Sequence, residues 1–192
     1  PETSDSDFSW REYIRRNNDE LVATYGNLAH RVLTFVYRNF DRQAPEPGPL
    51  DDLSQELLAQ AKRRLDEAAG HLEACNFRLA LGAAMGLAQA ANRYLDQTAP
   101  WRAIRTDRDG AATSLWVCMS VLSCLRTMFY PFLPFSSEKL HSMLGFDGSV
   151  QDAGWSWEPD SMSPGQGLPE PEPLFTKLDE AVVEEETQRI GN

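Results

Sequence analysis

Asn27, Arg31 and Arg38 recur at intervals of four and seven residues, which sets them in one row along a helix face. A planar amide and two guanidinium forks in such a row suit hydrogen bonding to planar, acceptor-rich groups such as nucleobases. A plain solvated helix face carries Lys and Glu instead, although the row by itself also fits the outer side of a bundle helix. A second group stands at 99–101, where Trp101 follows Pro100 directly at the end of an Ala-rich segment. An indole in that place either packs over the end of the helices or offers a face to a stacking base, a contact of about 1–3 kcal/mol. The densest Arg run in the chain comes next, and within it Arg105 and Arg108 are suited to attract phosphates.

Other chemistry is scarce. No Gly-rich phosphate loop or GxSxG elbow occurs, and His30, His71 and His141 lie far apart without metal-ligand spacing. His71 and His141 are expected at the surface or near helix ends, and Glu184, Glu185 and Glu186 read as a solvated run. Cys75, Cys118 and Cys124 form an odd set without CxxC spacing, expected as buried thiols in a reducing compartment. The formal net charge of −11 argues against a general nucleic-acid coat. The charge is uneven, however: residues 1–110 balance to −3 and residues 111–192 to −8. A local positive stripe on the first helices therefore remains open. Nothing at the start resembles a signal peptide, and no apolar run is expected to approach a membrane span. Pro1 in place of Met suggests a processed chain or a piece of a longer one.

Helix-forming patterns position these residues. Ser9 and Glu12 form a capping-box pair ahead of Trp10, Tyr13 and Ile14. Residues 17–39 then keep one apolar face (Leu21, Tyr25, Leu28, Val32, Phe35, Val36) and one polar face that includes Glu20, Thr34 and Asp41. Gly26 within it suggests close packing. The stretch 39–49, with PEPGP, breaks the helix, and Asp51 and Asp52 open the next at its positive end. Small residues over 77–96 predict a closely packed core helix. A further helix runs from about Gly110 to Met128, and Ser136 caps a short one ending near Leu144. From Phe146 onward Pro and Gly prevent a regular helix through much of the interval, while Trp155, Trp157, Leu174, Phe175 and Leu178 are apolar enough to fold back on the helices. The expectation is an all-α protein: an antiparallel bundle of about five helices at 1–145, with a Pro/Gly-rich extension at 146–192 that packs back on it and ends in an acidic helix or tail.

Three segments carry a resemblance. NNDELVATYGNLAHR at 17–31, NRYLDQTAPW at 92–101 and LFTKLD at 174–179 resemble, in order and separation, the helical anticodon-binding domain of the methionyl-tRNA synthetase family. The resemblance implies that Asn27 and Arg31 contact anticodon bases and that Trp101 stacks with the first of them. Arg38 joins by sharing their face, and Arg105 and Arg108 would serve phosphates. It implies recognition of the CAU anticodon stem-loop of methionine tRNA, so that a catalytic domain can attach methionine in an ATP-dependent reaction in the cytoplasm. The HisIleGlyHis-like and LysMetSerLysSer-like motifs and the zinc-binding insertion of that domain are absent from these residues. ATP and zinc are thus expected there and no cofactor or catalytic residue here. The implied partners are methionine tRNA and the enzyme's own catalytic domain, with no membrane or DNA. Two other readings stand beside it. One is the equivalent domain of a neighbouring class I synthetase, which the Asn27–Arg31 pair disfavours. The other is a helical interaction domain without an RNA role, which the acidity favours.

Overall fold

Helix α6, Arg108–Phe129, has apolar residues on every side and so has to be enclosed. In the computed structural model, which describes residues 8–190, every residue from Ala111 to Phe129 is buried. Much of the lead-in expected at 1–9 lies outside the described residues. By length and composition α6 could cross a membrane, contrary to the expectation that no run approaches a span. Its apolar window is wholly inside the protein instead, which is where a core helix belongs.

Three long helices enclose one side of α6. Helices α3 (Asp52–Glu73) and α4 (Phe77–Thr98) form an antiparallel hairpin closed by a tight turn with Cys75 at φ 58°. Asp51 caps α3 by accepting from the Ser54 N–H at 2.8 Å. Ala80, Ala83, Ala84, Ala88 and Ala91 let α4 approach its neighbours closely. Cys75 is exposed, whereas Cys118 and Cys124 are buried, so the expectation of three buried thiols fails at the turn.

The third helix is not the uniform one expected over 17–39. A first α-helical piece, α1 (Trp10–Arg16), passes into a π-helical stretch, Asn17–Gly26, and then into α2 (Asn27–Asn39). Ser9 caps α1, but the Glu12 carboxylate turns to Arg15 and Arg16. In the wider stretch the Asn27 N–H reaches the Val22 carbonyl, five residues back. Gly26 permits close packing at its end: a β-carbon there would lie 3.1 Å from both the Leu21 carbonyl oxygen and the Phe175 ring, a tight approach that would push its neighbours by a few tenths of an ångström. Tyr25, just before it, stacks on Phe129 of α6 at 4.3 Å between ring centroids. Asp41, expected on the polar face of this helix, lies past its end in a left-handed conformation.

Later elements cover further sides of α6: α7 (Pro134–Met143) and a 3₁₀ turn at Pro159–Ser161 lie against it, while α8 (Val150–Ala153) packs on α7 and α9 (Ala181–Ile190) on α1. α7 starts at Pro134 after Leu133, so Ser136 lies in its first turn and does not cap it. The indole N–H groups of Trp116 and Trp157 bind the Met162 and Ser120 carbonyls at 2.8 and 2.9 Å. Trp157 thereby joins the core, while Trp155 stays partly exposed. His141, expected at the surface, is buried; its Nε2 lies 3.0 Å from the Asp147 carbonyl and its Nδ1 faces the Arg126 guanidinium. Burial pulls the Arg126 guanidinium below its ordinary range, and that group lies over the Phe146 ring at 4.3 Å.

Burial pushes the Tyr25 and Tyr94 phenols and the Cys118 and Cys124 thiols upward. Their protonated forms are the folded forms, so the stability they contribute is complete below the unfolded values. It is lost as pH rises past about 8.5 for Cys and about 10 for Tyr. Urea midpoints between pH 7 and 11 should therefore hold level and then fall. Tyr25→Phe should lessen the fall, since it removes one of the buried titrating groups, a hydroxyl without a hydrogen-bond partner among the described residues. At neutral pH that variant should be as stable as the parent or up to about 1 kcal/mol more stable. An unchanged alkaline slope would contradict this account.

Candidate nucleic-acid interface

The surface around Trp101 is built by the way α4 ends. Ala99 takes a left-handed conformation (φ 40°, ψ 58°) and its N–H still reaches the Leu95 carbonyl at 3.0 Å. Pro100 then starts a single helical turn, α5 (Pro100–Ala103), where its missing N–H costs nothing. The AlaProTrp segment is thus a sharp joint between helices and not an extended loop. Pro100 is buried in that joint, which leaves the next side chain outside: Trp101 is 37% exposed.

Trp101 meets α2. The Arg31 guanidinium lies 4.7 Å from the centroid of its ring and pairs with Asp96 of α4 at 2.9 Å. Arg31, Arg38 and Trp101 line one open depression of about 460 Å³ together with His30, Thr34 and Phe35. Asn27 is exposed one turn earlier. It lines an adjoining groove of about 350 Å³ with His30, Leu174 and Phe175 among others. His30 borders both recesses.

Two residues with expected phosphate roles fall outside these recesses. Arg105 is exposed beyond α5. Arg108 is already engaged: it donates to the Asn39 carbonyl at 2.7 Å and lies over the Phe40 ring at 4.7 Å, tying the start of α6 to the end of α2. His30, Phe35 and Asp96 carried no role in the reading of the sequence. His30 and Asp96 sit inside the two longer quoted motifs, so the signal was present; Phe35 was assigned to the apolar face.

The forces holding Arg31 are modest. Its side chain is 31% exposed and that of Asp96 63%, so solvent screens the pair to below about 1 kcal/mol. The contact with the indole adds roughly 0.5–1 kcal/mol. The guanidinium is therefore oriented but exchangeable, and it presents donors where a planar acceptor can reach them. Among the described residues no cluster of three His, Cys, Asp or Glu could hold a metal ion. The arrangement offers stacking, forked donors and an amide; it is suited to binding and not to bond cleavage.

Comparison with known proteins points the same way. A family profile described as the anticodon binding domain of methionyl tRNA ligase matches residues 44–192, and one for class I tRNA synthetases (M) matches residues 1–33. A methionine–tRNA ligase of Dehalococcoides mccartyi strain 195 is 56% identical over 191 residues, covering all of this chain and 34% of its own length. One from Chloroflexus aurantiacus is 42% identical over 214 residues, covering 99% of this chain and 36% of its own. The solved apo structure of Mycobacterium tuberculosis methionyl-tRNA synthetase superposes with a TM-score of 0.84 at 29% identity, over 92% of this chain and 36% of that one. The chain spans about a third of the length of the curated relatives it matches.

The weak tethering of Arg31 can be checked directly. Asp96→Asn should change the urea midpoint by less than about 1 kcal/mol in stability, while Arg31 and Trp101 stay in place. A loss of 3 kcal/mol or more, in the range of a broken buried pair, would show the tether to be structural.

Proposed function

This chain belongs to the methionyl-tRNA ligase family as its anticodon-binding domain, and on that premise we propose that it reads the CAU anticodon of methionine tRNA. The observation that carries the proposal is the single depression shared by Arg31, Arg38 and Trp101. Trp101 stacks the first anticodon base on the side of the indole that Arg31 leaves open. Asn27 and Arg31 hydrogen-bond base edges, where forked and amide donors discriminate best. Arg38 borders the same recess and adds a third set of donors. Arg105 supplies phosphate attraction, and Arg108 contributes its charge from its seat on Asn39.

In the whole protein, methionine attachment proceeds with ATP on a catalytic domain that also carries the zinc-binding insertion, in the cytoplasm. Residues 1–145 act as the recognition bundle, and the extension 146–192 lies between that bundle and the catalytic domain. The match of residues 1–33 to the class I synthetase profile supports this continuity, since α1 and the π-helical stretch belong to both parts.

Binding at fixed salt to the CAU stem-loop and its single-base substitutions tests the roles separately. Trp101→Ala should weaken every loop by about 1–3 kcal/mol, because a stacking surface that tolerates any base is lost. Arg31→Ala should cost a similar amount, about 1–3 kcal/mol, and relax discrimination at one position. If both variants kept affinity and base preference with the fold intact, the assignment would be wrong. The chain by itself should give no methionine-dependent pyrophosphate exchange, and detecting that exchange would refute the division of labour.

A further inference from the structure

The recess beside Trp101 does not end at Arg38. Arg38 also lines a second groove of about 450 Å³ with Tyr37, Asp41 and Arg42, so two recesses meet at one guanidinium. Asp41 and Arg42 have φ of 52° and 60°, a left-handed conformation that residues with a β-carbon avoid. Two in succession need support from elsewhere, and the C-terminal segment provides it. The Leu168 N–H donates to the Arg42 carbonyl at 2.8 Å, and Gln43 pairs with Gly167 in an isolated bridge. Held this way, Arg42 lays its guanidinium over the Tyr37 ring, 5.3 Å from the centroid.

The charges in this groove are not neutralised. Among the described residues, Lys62, Arg63, Arg64, Lys139 and Arg189 each make an ion pair, whereas Arg38 and Arg42 make none. One cation in the last turn of α2 is accounted for by the negative end of the helix dipole, and Arg38 meets that need. Arg42 lies beyond the helix, on a strained backbone that dipole compensation does not require. Asp41 is the opposing acidic group, and two guanidinium groups outweigh it.

We infer that Tyr37, Arg38 and Arg42 form a backbone subsite for the RNA strand that continues from the Trp101 recess, with Arg38 and Arg42 donating to one phosphodiester. Guanidinium forks match phosphate oxygens in pairs, and the Tyr37 face that a base would need is already covered by Arg42. Seven residues of helix separate Arg31 from Arg38, roughly 10 Å, which assigns the contact to a neighbouring nucleotide and not to the stacked base. The inference rests on the anticodon reading above.

The test pairs Arg42→Asn, chosen because Asn tolerates left-handed backbone, with CAU stem-loops carrying one neutral methylphosphonate at a time in the loop. Arg42→Asn should bind about tenfold more weakly at low salt, with a salt slope flatter by about 0.7–0.9 and an unchanged base preference. At one loop position the methylphosphonate should cost the parent chain about as much and cost Arg42→Asn almost nothing further, since each change removes the same contact. If the two losses added in full at every position, the subsite would be overturned, while the anticodon reading would survive as long as Trp101→Ala still weakened binding. Failure of the parent chain to bind any stem-loop would overturn both. If Arg42→Asn unfolds more readily than the parent, the same cycle with Arg38→Gln applies, judged by the same criterion.

Discussion

Enclosing α6 is the requirement on which the other contacts depend. A helix with apolar residues on every side is stable in water only if every side is covered, and no single hairpin has enough surface for that. Helices α2, α3 and α4 cover part of it with aliphatic and small side chains. The part that carries Ser120, Ser123 and Arg126 is different, because buried polar groups must be hydrogen-bonded where they lie. The irregular C-terminal segment meets part of that need: Trp157 donates to the Ser120 carbonyl and the Ser123 hydroxyl, and Ser161 lies 3.2 Å from the same hydroxyl, whereas the Ser120 hydroxyl has no partner among the described residues. A segment rich in Pro and Gly is suited to this task, since it places indoles without the fixed spacing of a helix.

The same segment also holds the surface helix that bears the candidate site. Near its start, Asn18 exchanges two hydrogen bonds with the Leu178 backbone, both 2.9 Å, and Phe175 packs against Tyr25 and Gly26. Near its end, Gly167 and Leu168 pin the chain just past α2. From the other side, Asn92 donates to the Thr24 carbonyl in the π-helical stretch, and Asp96 and Trp101 hold Arg31. Of the three segments that carry the family resemblance, 92–101 and 174–179 thus each contact the first, 17–31. Their side chains position one another as well as facing outward.

Electrostatics explains how an acidic chain can present a cationic surface. Many basic residues are matched by nearby carboxylates, as on α3, where Arg63 and Arg64 pair with Glu56 and Glu67. Around the end of α2, Arg42 and Arg108 face a ring or a backbone carbonyl instead. For the RNA contact proposed above, surrounding acidity would disfavour a general nucleic-acid coat and favour a local, shaped contact.

What the sequence determined by itself was local. Helical periodicity placed Asn27, Arg31 and Arg38 in one row, Pro100 put Trp101 outside the helix end, and Pro and Gly limited regular structure between Phe146 and Leu178 to short turns. These follow from backbone geometry within a few residues, and they survive in the fold. Tertiary structure decided the rest. The π-helical register of 17–26 depends on α4 and on Phe175, both distant in sequence. His141 reads as a surface residue until Arg126 and the Asp147 carbonyl are brought to its two ring nitrogens. The left-handed pair at Asp41 and Arg42 is held by residues 167 and 168. In each case the deciding partner lies on another segment, and a contact between distant segments has no period or spacing by which it could be read in advance.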